Sequence, residues 1–354
     1  MNVLVAGAGP AGLYFAYLAK LRNPGWKIRV VEQNRADSTF GFGVVFSDRA
    51  LEFLRGDDPA TYDLITPRME SWVDLKVVHR GTPVVIDGIG FAAIGRLELL
   101  KLLQQQASGV GIIPEYETPV SAQAGDYDLV VAADGVNSVV RGWHDFGTTV
   151  SHLTNKFAWY GTPSVFDTLT QTFVSNEHGS FNAHHYRHSP KMSTFVVECD
   201  AATWARAGFA AMDEAATIRY LEKLFGHRLV SNRSVWRNFP NLRNRKYFSG
   251  NVVLIGDALR TAHFSIGSRT RLAMEDAIAL VKALDGGGLP AFEAARRPVV
   301  DKLVAAADAS GAWYDRFPEH MKLAPREFAW SYIQRSGRID PERLRKISPK
   351  FVNG

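Results

Sequence analysis

The stretch that decides the fold lies near the amino terminus, where residues 3–15 read VLVAGAGPAGLYF. An apolar strand runs there into a glycine turn and a helix, and Gly7, Gly9 and Gly12 have G-x-G-x-x-G spacing. The first glycine permits a tight turn, the second lets the backbone approach a pyrophosphate, and the third lets helix and strand pack closely. Glu32 closes a second apolar run and can accept hydrogen bonds from a ribose. A βαβ unit that merely tolerates glycine would not explain Glu32, so the pattern predicts a dinucleotide site.

The length and composition indicate a globular enzyme with two interleaved domains. The chain has 354 residues, which exceeds the usual size of a single hydrophobic core. Hydrophobic residues make up 46% and charged residues 22%, which are ordinary values for a soluble protein. The formal net charge is +5. This basic excess suits an anionic ligand, but it is spread along the chain, so we expect no nucleic-acid partner.

The cysteine count and the apolar segments bear on the compartment. Cys199 is the only cysteine, so an intrachain disulfide is excluded and a reducing compartment is indicated. The first apolar stretch is interrupted by glycines and is not typical of a signal peptide. No run of about 18 or more apolar residues occurs, so no membrane span is expected. These features predict a cytoplasmic protein and leave the oligomeric state open.

The order of strand and helix patterns along the sequence predicts an α/β fold with an interleaved second domain. Aromatic and threonine-rich strands dominate after about residue 151, and buried, parallel-type strand patterns occur before it and again near residue 252. Ser47 and Asp48 are predicted to cap a helix that begins near Arg49. We assign residues 1–70, 93–150 and 246–290 to a Rossmann-like cofactor-binding domain, 71–92 and 151–245 to an antiparallel-sheet substrate domain, and 291–354 to a helical C-terminal segment.

Two further motifs follow the glycine turn. Asp134 and Gly135 end a buried strand and open the pattern D-G-x-x-S-x-x-R, which closes at Arg141. Gly256 and Asp257 follow another apolar strand. Either dipeptide alone is most often a turn. Their value lies in the order in which the three motifs occur.

This order resembles the single-component flavoprotein aromatic hydroxylases, the p-hydroxybenzoate hydroxylase-like (class A) monooxygenases, over essentially the whole chain. The resemblance implies a Rossmann-like FAD-binding domain and no separate domain for NADH or NADPH. It implies that the glycine turn binds the FAD pyrophosphate, Glu32 the adenosine ribose and Asp257 the ribityl chain. Arg96 matches an arginine that contacts FAD, with a surface arginine at a helix start as the alternative. The cofactor-binding residues that the resemblance implies are Gly7, Gly9, Gly12, Glu32, Arg96, Asp134, Gly135, Arg141, Gly256, Asp257, Gly267, Ser268 and Arg269.

The resemblance also implies the chemistry. In the family, NAD(P)H reduces FAD, O2 forms a flavin C4a-hydroperoxide, and its distal oxygen is transferred to an electron-rich ring. His263, beside the flavin loop, is the candidate catalytic residue, and a histidine satisfied by that loop is the alternative. Trp159, Tyr160 and Phe195 are candidate substrate residues, with a place in the core as the alternative for each.

Three segments narrow the resemblance. Residues 156–162, 192–199 and 263–268 are similar to the hydroxylase half of the salicylyl-CoA and 2-aminobenzoyl-CoA monooxygenases and to the violacein-pathway tryptophan hydroxylase. Residues 337–352 resemble the segment that leads to a second domain in the aminobenzoyl-CoA type, so a single-domain protein and a piece of a longer one both stay open. The implied substrate is an aromatic acyl-CoA such as salicylyl-CoA. The alternatives are a tryptophan-derived indole, or a flavin-binding module without turnover.

One position departs from the pattern of these relatives. They carry glycine at the first and third positions of G-S-G-T, whereas this chain reads Gly267-Ser268-Arg269-Thr270. The backbone of this loop approaches the flavin in the family, where a side chain takes up space. Arg269 is therefore expected either to weaken FAD binding or to stabilise the reduced flavin anion.

The histidines do not predict a metal site. His184, His185 and His188 lie close together in a strand pattern, but adjacent residues of a strand point to opposite faces. We therefore expect no metal ion. A serine hydrolase is also not indicated, because the sequence has no G-x-S-x-G motif.

Overall fold

The computed structural model describes residues 1–47, 51–121 and 126–354. The start of the helix expected near Arg49 lies outside these residues. The described strands are β1 (Asn2–Ala6), β2 (Lys27–Val31), β3 (Gly43–Ser47), β4 (Glu70–Trp72), β5 (Leu75–His79), β6 (Thr82–Ile86), β7 (Phe91–Gly95), β8 (Leu129–Ala132), β9 (Thr148–Thr162), β10 (Leu169–Asn176), β11 (Gly179–Ser189), β12 (Met192–Cys199), β13 (Val230–Ser231), β14 (Arg237–Asn244), β15 (Phe248–Ser249) and β16 (Val252–Leu254).

The helices complete the element order. They are α1 (Pro10–Arg22), α2 (Glu52–Asp57), α3 (Pro59–Ile65), α4 (Arg96–Gly109), α5 (Ala201–Arg206), α6 (Glu214–Phe225), α7 (Arg269–Leu284), α8 (Gly288–Asp315), α9 (Phe317–His320), α10 (Pro325–Gln334), α11 (Pro341–Ile347) and α12 (Pro349–Asn353). Within the described residues, no helix is long and apolar enough to cross a membrane.

The first sheet carries the glycine turn at the end of its central strand. Its order is β15-β16-β8-β1-β2, and all pairs are parallel except β15 with β16. Val5 of β1 lies between Val30 of β2 and Val131 of β8. The middle strands are buried on both faces, which explains why they read as continuous apolar runs. The α/β fold predicted from the sequence is confirmed here.

The second sheet is built mainly from the chain after residue 147. Its order is β13-β9-β12-β11-β10-β5-β6, and β14 also pairs with β9. All pairs are antiparallel except β10 with β5, where Gln171 lies opposite Val77. β5 comes from much earlier in the chain and joins through a crossover rather than a hairpin, so the sheet is mixed rather than purely antiparallel. A small third sheet, β3-β7-β4, completes the set.

Strand alternation divides the large sheet into two faces with different neighbours. One face packs under α5 and α6, with Tyr160, Phe195 and Leu221 in that core. Cys199 is buried in the same core. On the opposite face, Val196 packs with Phe264 from the loop that follows β16. This second face is the one that borders the candidate site.

The C-terminal segment is helical, as expected, and it packs on β5, β6 and β10. Phe328 and Tyr332 of α10 share a core with Phe173 of β10, and the Phe173 and Phe328 ring centroids lie 4.6 Å apart. The carboxylate of Asp87 accepts hydrogen bonds from the backbone N–H of Phe351, at 2.8 Å, and of Lys350, at 3.2 Å. These contacts hold α10 against β10 and α12 beside the loop between β6 and β7.

Candidate active site

The turn between β1 and α1 has the geometry that the glycine spacing predicts. Gly7 has φ of +99°, and a Cβ there would lie 2.4 Å from the Ala133 carbonyl oxygen. A Cβ on Gly12 would lie 1.9 Å from the Gly7 carbonyl oxygen. Both positions therefore require glycine for the fold. A Cβ on Gly9 would meet no protein atom within 4 Å, so this glycine faces open space.

That open space is a cavity of about 210 Å³, called here the turn cavity. Glu32 and the backbone of Ala8 and Gly9 lie in its wall. One oxygen of the Glu32 carboxylate accepts the Ala8 N–H at 3.0 Å, and the other accepts the Asn34 N–H at 2.9 Å. The start of α1 adds its positive dipole end. The N–H groups at the start of α1 and the lack of a Cβ at Gly9 fit a pyrophosphate, and the Glu32 carboxylate fits the adenosine ribose of a dinucleotide.

A second, smaller cavity of about 40 Å³ adjoins the turn cavity and is called the central cavity. Val44, Arg96 and Thr270 line both. Arg96 donates to the Phe40 carbonyl at 2.6 Å, and its guanidinium carbon lies 5.6 Å from the centre of the Trp159 ring. Desolvation, followed by the charge of Arg269, lowers the pKa of Arg96. The structure thus places Arg96 where the two cavities meet.

The flavin loop predicted from the sequence forms one side of the central cavity, at Gly267, Ser268 and Arg269. Gly267 has φ of +59°, and a Cβ there would lie 3.2 Å from the Val45 carbonyl oxygen. Arg269 begins α7 and forms an ion pair with Asp257. The apolar and aromatic part of the wall, which fits a planar ring, consists of Val44, Val45, Trp159, Tyr186, Val196 and Phe264.

The Asp-Gly segment braces the neighbouring Gly-Asp turn. One oxygen of Asp134 accepts the N–H groups of Val139 and Val140, at 2.8 and 3.2 Å, while its other oxygen is buried without a partner. Arg141 donates to the Ala258 carbonyl at 3.0 Å and to the Val136 carbonyl at 2.8 Å. Gly135 has φ of +80°. The structure therefore brings the two motifs together beside the end of β1.

A buried ionic network, which the sequence did not reveal, holds the Gly256 turn. Asp276 of α7 is fully buried and accepts the Gly256 N–H at 3.0 Å. Its carboxylate also binds Arg260 and, at 2.9 Å, Arg296. Arg260 returns a hydrogen bond to the Gly256 carbonyl at 2.9 Å. The turn that carries Asp257 is thus held in place by the buried charges of Asp276, Arg260 and Arg296.

A third cavity of about 440 Å³, the outer cavity, lies on the other side of the central cavity. Val45, His184 and Gly267 line both. Leu75, Leu169 and Ile333 form apolar parts of its wall. Its basic side chains are Arg271, Arg335, Arg338 and Arg343. The three cavities therefore form a row from the glycine turn to the C-terminal helices.

His184 lies at the junction of the central and outer cavities. It is 5% exposed, and neither ring nitrogen has a hydrogen-bond partner in the described part of the chain. Burial, followed by the charge of Arg335, lowers the pKa of His184 to about 3. A neutral imidazole with two free nitrogens can donate one hydrogen bond and accept another. The position of His184 at the junction could not be predicted from the sequence, because it depends on which face of β11 meets the cavities.

His263, the candidate catalytic residue, lies elsewhere. Its Nδ1 is 2.7 Å from the Ser265 hydroxyl, which in turn is 2.7 Å from the Ser310 hydroxyl. The ring packs edge-on against Phe239, with centroids 4.9 Å apart, and it lines neither the central nor the outer cavity. This is the alternative considered above, a histidine satisfied within its loop.

The candidate substrate residues are separated by strand alternation. Trp159 lines the central cavity. Tyr160 and Phe195 point to the other face of the sheet and are buried under α6. Since neighbours on a strand face opposite ways, Trp159 and Tyr160 could not both line one cavity. The expectation for Tyr160 and Phe195 is corrected accordingly.

The histidines of β11 divide in the same way. His185 stacks on Phe195, with centroids 5.1 Å apart, on the face opposite His184. His188 bonds to the Thr194 hydroxyl at 3.1 Å. No group of three or more potential metal ligands is found in residues 1–47, 51–121 and 126–354.

Comparison with known proteins identifies the class. Residues 102–307, more than half of the chain, match the family described as FAD binding domain. The chain belongs to this family and is a class A FAD-dependent aromatic monooxygenase. Its substrate is accordingly an aromatic compound, and the turn and central cavities have the residues to hold FAD.

Individual relatives sharpen the comparison. The chain is 42% identical over 361 residues to salicyloyl-CoA 5-hydroxylase from Streptomyces sp, covering 95% of this chain and 70% of that protein. It is 36% identical over 362 residues to protodeoxyviolaceinate monooxygenase from Chromobacterium violaceum, covering 96% of both. The fold is also that of a variant of 2-methyl-3-hydroxypyridine-5-carboxylic acid oxygenase, with a TM-score of 0.75, 17% identity and coverage of 98% and 96%.

Proposed function

We propose that the chain hydroxylates the ring of an aromatic acyl-CoA such as salicyloyl-CoA (salicylyl-CoA), using NADH or NADPH and O2. The observation that carries the proposal is the outer cavity, which meets the central cavity at His184 and has four arginines but no acidic residue among its described lining residues. Its volume of about 440 Å³ lies within the range of small-molecule sites. A ring held at the junction leaves the rest of the cavity for a larger, anionic group. Salicyloyl-CoA is the substrate in the name of the relative at 42% identity.

The residues of this chain have three tasks in the proposed reaction. FAD, when bound, supplies the activation of O2 with electrons from NAD(P)H. Trp159, Val196 and Phe264 wall the central cavity with apolar surface and exclude water from it. His184 is neutral, so it can hydrogen-bond a ring hydroxyl and fix the ring between the central and outer cavities.

The same cavities would also admit a different substrate. The relative at 36% identity is named for protodeoxyviolaceinate, and a tryptophan-derived indole is therefore the second candidate. An indole ring could bind at the junction beside His184, but it has no phosphate groups with which the four arginines could pair.

A substrate assay of the FAD-loaded protein tests the proposal. Purified protein is given salicyloyl-CoA, 2-aminobenzoyl-CoA or tryptophan-derived indoles, with NADH and separately with NADPH. Oxidation of the nicotinamide and the mass of the product are followed. An aryl-CoA product heavier by one oxygen atom supports the proposal. Hydroxylation of indoles alone, or no product with any of these substrates, contradicts it.

A pair of histidine variants tests the place of the ring. His184→Asn is expected to lower kcat/KM by roughly 10- to 100-fold, as loss of one buried substrate hydrogen bond does. His263→Asn serves as the matched control, because this ring is buried in the same region but bonds within its loop. His263→Asn is expected to lower the melting temperature, whereas its loss of kcat/KM should be smaller than that of His184→Asn. The reverse pattern would return the substrate contact to His263.

A further inference from the structure

The mouth of the outer cavity has an unbalanced positive charge. Arg271 lies on α7 and Arg335 directly after α10, while Arg338 precedes α11 and Arg343 lies on it. The described lining of the cavity contains no aspartate or glutamate. Four cations thus surround one opening that is walled further in by leucine, isoleucine and tyrosine side chains.

Three of these arginines lack an acidic partner. Arg271 is paired with Glu275, whose Oε1 lies 2.7 Å from its Nε. Among the described residues, no carboxylate lies within 4.0 Å of the guanidinium groups of Arg335, Arg338 or Arg343, whereas arginine side chains elsewhere commonly form such pairs. Unpaired cations that share one cavity repel one another, so the arrangement is favourable mainly when an anion binds.

The guanidinium of Arg335, at the inner side of the arginine group, is held by hydrogen bonds to backbone carbonyl groups. Arg335 donates to the carbonyls of Tyr332 and Ser265, each at 2.8 Å. It also lies over the Tyr332 ring, 3.8 Å from the centroid, and its Nε has no hydrogen-bond partner within the described part of the chain. Further out, Arg338 and Arg343 are exposed at the rim. Partial desolvation of the Arg338 guanidinium, followed by the nearby charges of Arg271, Arg343 and Arg335, lowers the pKa of Arg338, consistent with the grouping of the four arginines around one cavity.

The polarity of the cavity therefore changes along its length. The inner end has His184 and apolar side chains, and the outer end has the arginines. A ligand that matches both ends has an aromatic group at one end and phosphates at the other. Arginine is the side chain best suited to phosphate, because its planar fork donates two parallel hydrogen bonds.

We propose that Arg338 and Arg343, supported by Arg335 and Arg271, bind the phosphate groups of coenzyme A while the aryl thioester reaches inward to His184. This inference rests on the proposed function for the identity of the substrate. It adds a phosphate site made by the C-terminal helices, which makes recognition of the carrier group separate from recognition of the ring.

Direct binding provides the first test, with full-length FAD-loaded protein and adenosine 3′,5′-bisphosphate as the probe. The wild type is expected to bind the probe in calorimetry, with an affinity that falls as salt rises. The double variant Arg338→Ala/Arg343→Ala is expected to bind it at least roughly tenfold more weakly, given the strength of charge-assisted hydrogen bonds. Arg345→Ala is the matched control, because Arg345 lies on α11 but does not line the cavity.

Kinetics provides the second test. KM is measured for salicyloyl-CoA and for the salicyloyl thioester of pantetheine, which has no phosphate. In the double variant, KM for salicyloyl-CoA is expected to rise by about tenfold relative to KM for the pantetheine thioester, with kcat little affected. An equal loss for both thioesters would show that the arginines only support the fold and would overturn the proposal.

Other outcomes separate this inference from the proposed function. If the protein hydroxylates no thioester but binds the bisphosphate through Arg338 and Arg343, the proposed function fails and the phosphate site stands. If the wild type does not bind the bisphosphate, the phosphate site fails whatever the substrate. A rise in the KM for NADH or NADPH, in place of the KM for the thioester, would assign the cavity to the co-substrate and also overturn the inference.

Discussion

Arg269 forms an ion pair with Asp257, the residue that ends the Gly-Asp motif. The Nε atom of Arg269 lies 3.3 Å from Oδ1 of Asp257, and Nη2 bonds to Oδ2, so the pair is bidentate. The guanidinium also lies 5.8 Å from the centre of the Phe239 ring. In the family, the resemblance implies that this carboxylate accepts hydrogen bonds from the ribityl chain of FAD. We therefore propose that Arg269 competes with the cofactor for this carboxylate.

The first prediction concerns this competition. Arg269→Gly is expected to bind FAD roughly tenfold more tightly, because it frees the Asp257 carboxylate from a charge-assisted pair. The dissociation constant of FAD and the midpoint potential are measured for both forms. Unchanged affinity with a lower potential would instead mean that the arginine stabilises the reduced flavin anion.

A second substitution separates charge from bulk at this position. Arg269→Gln keeps most of the length of the side chain but cannot form the ion pair. If both variants bind FAD more tightly, the pair is the cause, and if only the glycine variant does, the cause is steric. No change in either affinity or potential would show that the guanidinium does not face the cofactor.

The glycine turn gives the next prediction. Gly9→Val is expected to yield folded but colourless protein, because a Cβ there would meet no described protein atom within 4 Å and we infer that the side chain projects into the space of the pyrophosphate. Gly25→Val is the control, since a Cβ at Gly25 also meets nothing within 4 Å but lies far from the turn cavity. The ratio of flavin to protein absorbance and the melting temperature are measured. Normal flavin content in Gly9→Val would contradict the placement of the pyrophosphate.

Much of the fold could be predicted because its signals are local. Gly7, Gly9 and Gly12 specify a strand, a turn and a helix within a few residues, and Pro10 begins α1 where the motif requires it. The helical pattern after the Gly-Asp motif predicts a long helix over about residues 268–284, and the structure has α7 at Arg269–Leu284. In such segments, periodicity and turn chemistry agree, so no distant information is needed.

The errors at the site come from long-range packing. The sequence of β9 shows that Trp159 and Tyr160 face opposite ways, but not which of them faces the cavities. That choice depends on the side of the sheet on which the loop after β16 docks. The same docking turns His263 toward Ser265 and leaves His184 at the junction. No motif near His184 records this arrangement.

The network below the Gly256 turn leads to a stability prediction. Asp276→Ala is expected to destabilise the protein by about 3–5 kcal/mol, because it removes the carboxylate that pairs with buried Arg260 and leaves buried Arg296 with Glu275 alone. The control is Asp285→Ala, which removes the exposed pair with Arg22 and should cost about 1 kcal/mol or less. Urea unfolding measures both. Equal effects of the two substitutions would contradict the role assigned to Asp276.

The last prediction concerns the pH dependence of stability and rests on Glu198. This side chain is 2% exposed, and its Oε1 accepts a hydrogen bond from the Asn155 amide at 2.9 Å. Burial, with a smaller contribution from the charge of Asp315, raises the pKa of Glu198 to about 8, from 4.5 in the unfolded chain. The folded protein therefore retains a proton that the unfolded chain releases, so the stabilising contribution is complete below pH 4.5 and is lost as the pH rises to about 8.

Glu198→Gln mimics the protonated form and is expected to remove this loss. The variant and the wild type should be similarly stable near pH 5, and the free energy of unfolding of the wild type should then fall relative to the variant by up to about 1.4 kcal/mol per pH unit. Glu177→Gln is the control, since the Glu177 side chain is 78% exposed. Urea unfolding of all three proteins at several pH values between 5 and 8 measures the slopes. Equal slopes for the wild type and Glu198→Gln would show that the Glu198 carboxyl group is already ionised in the folded protein at neutral pH.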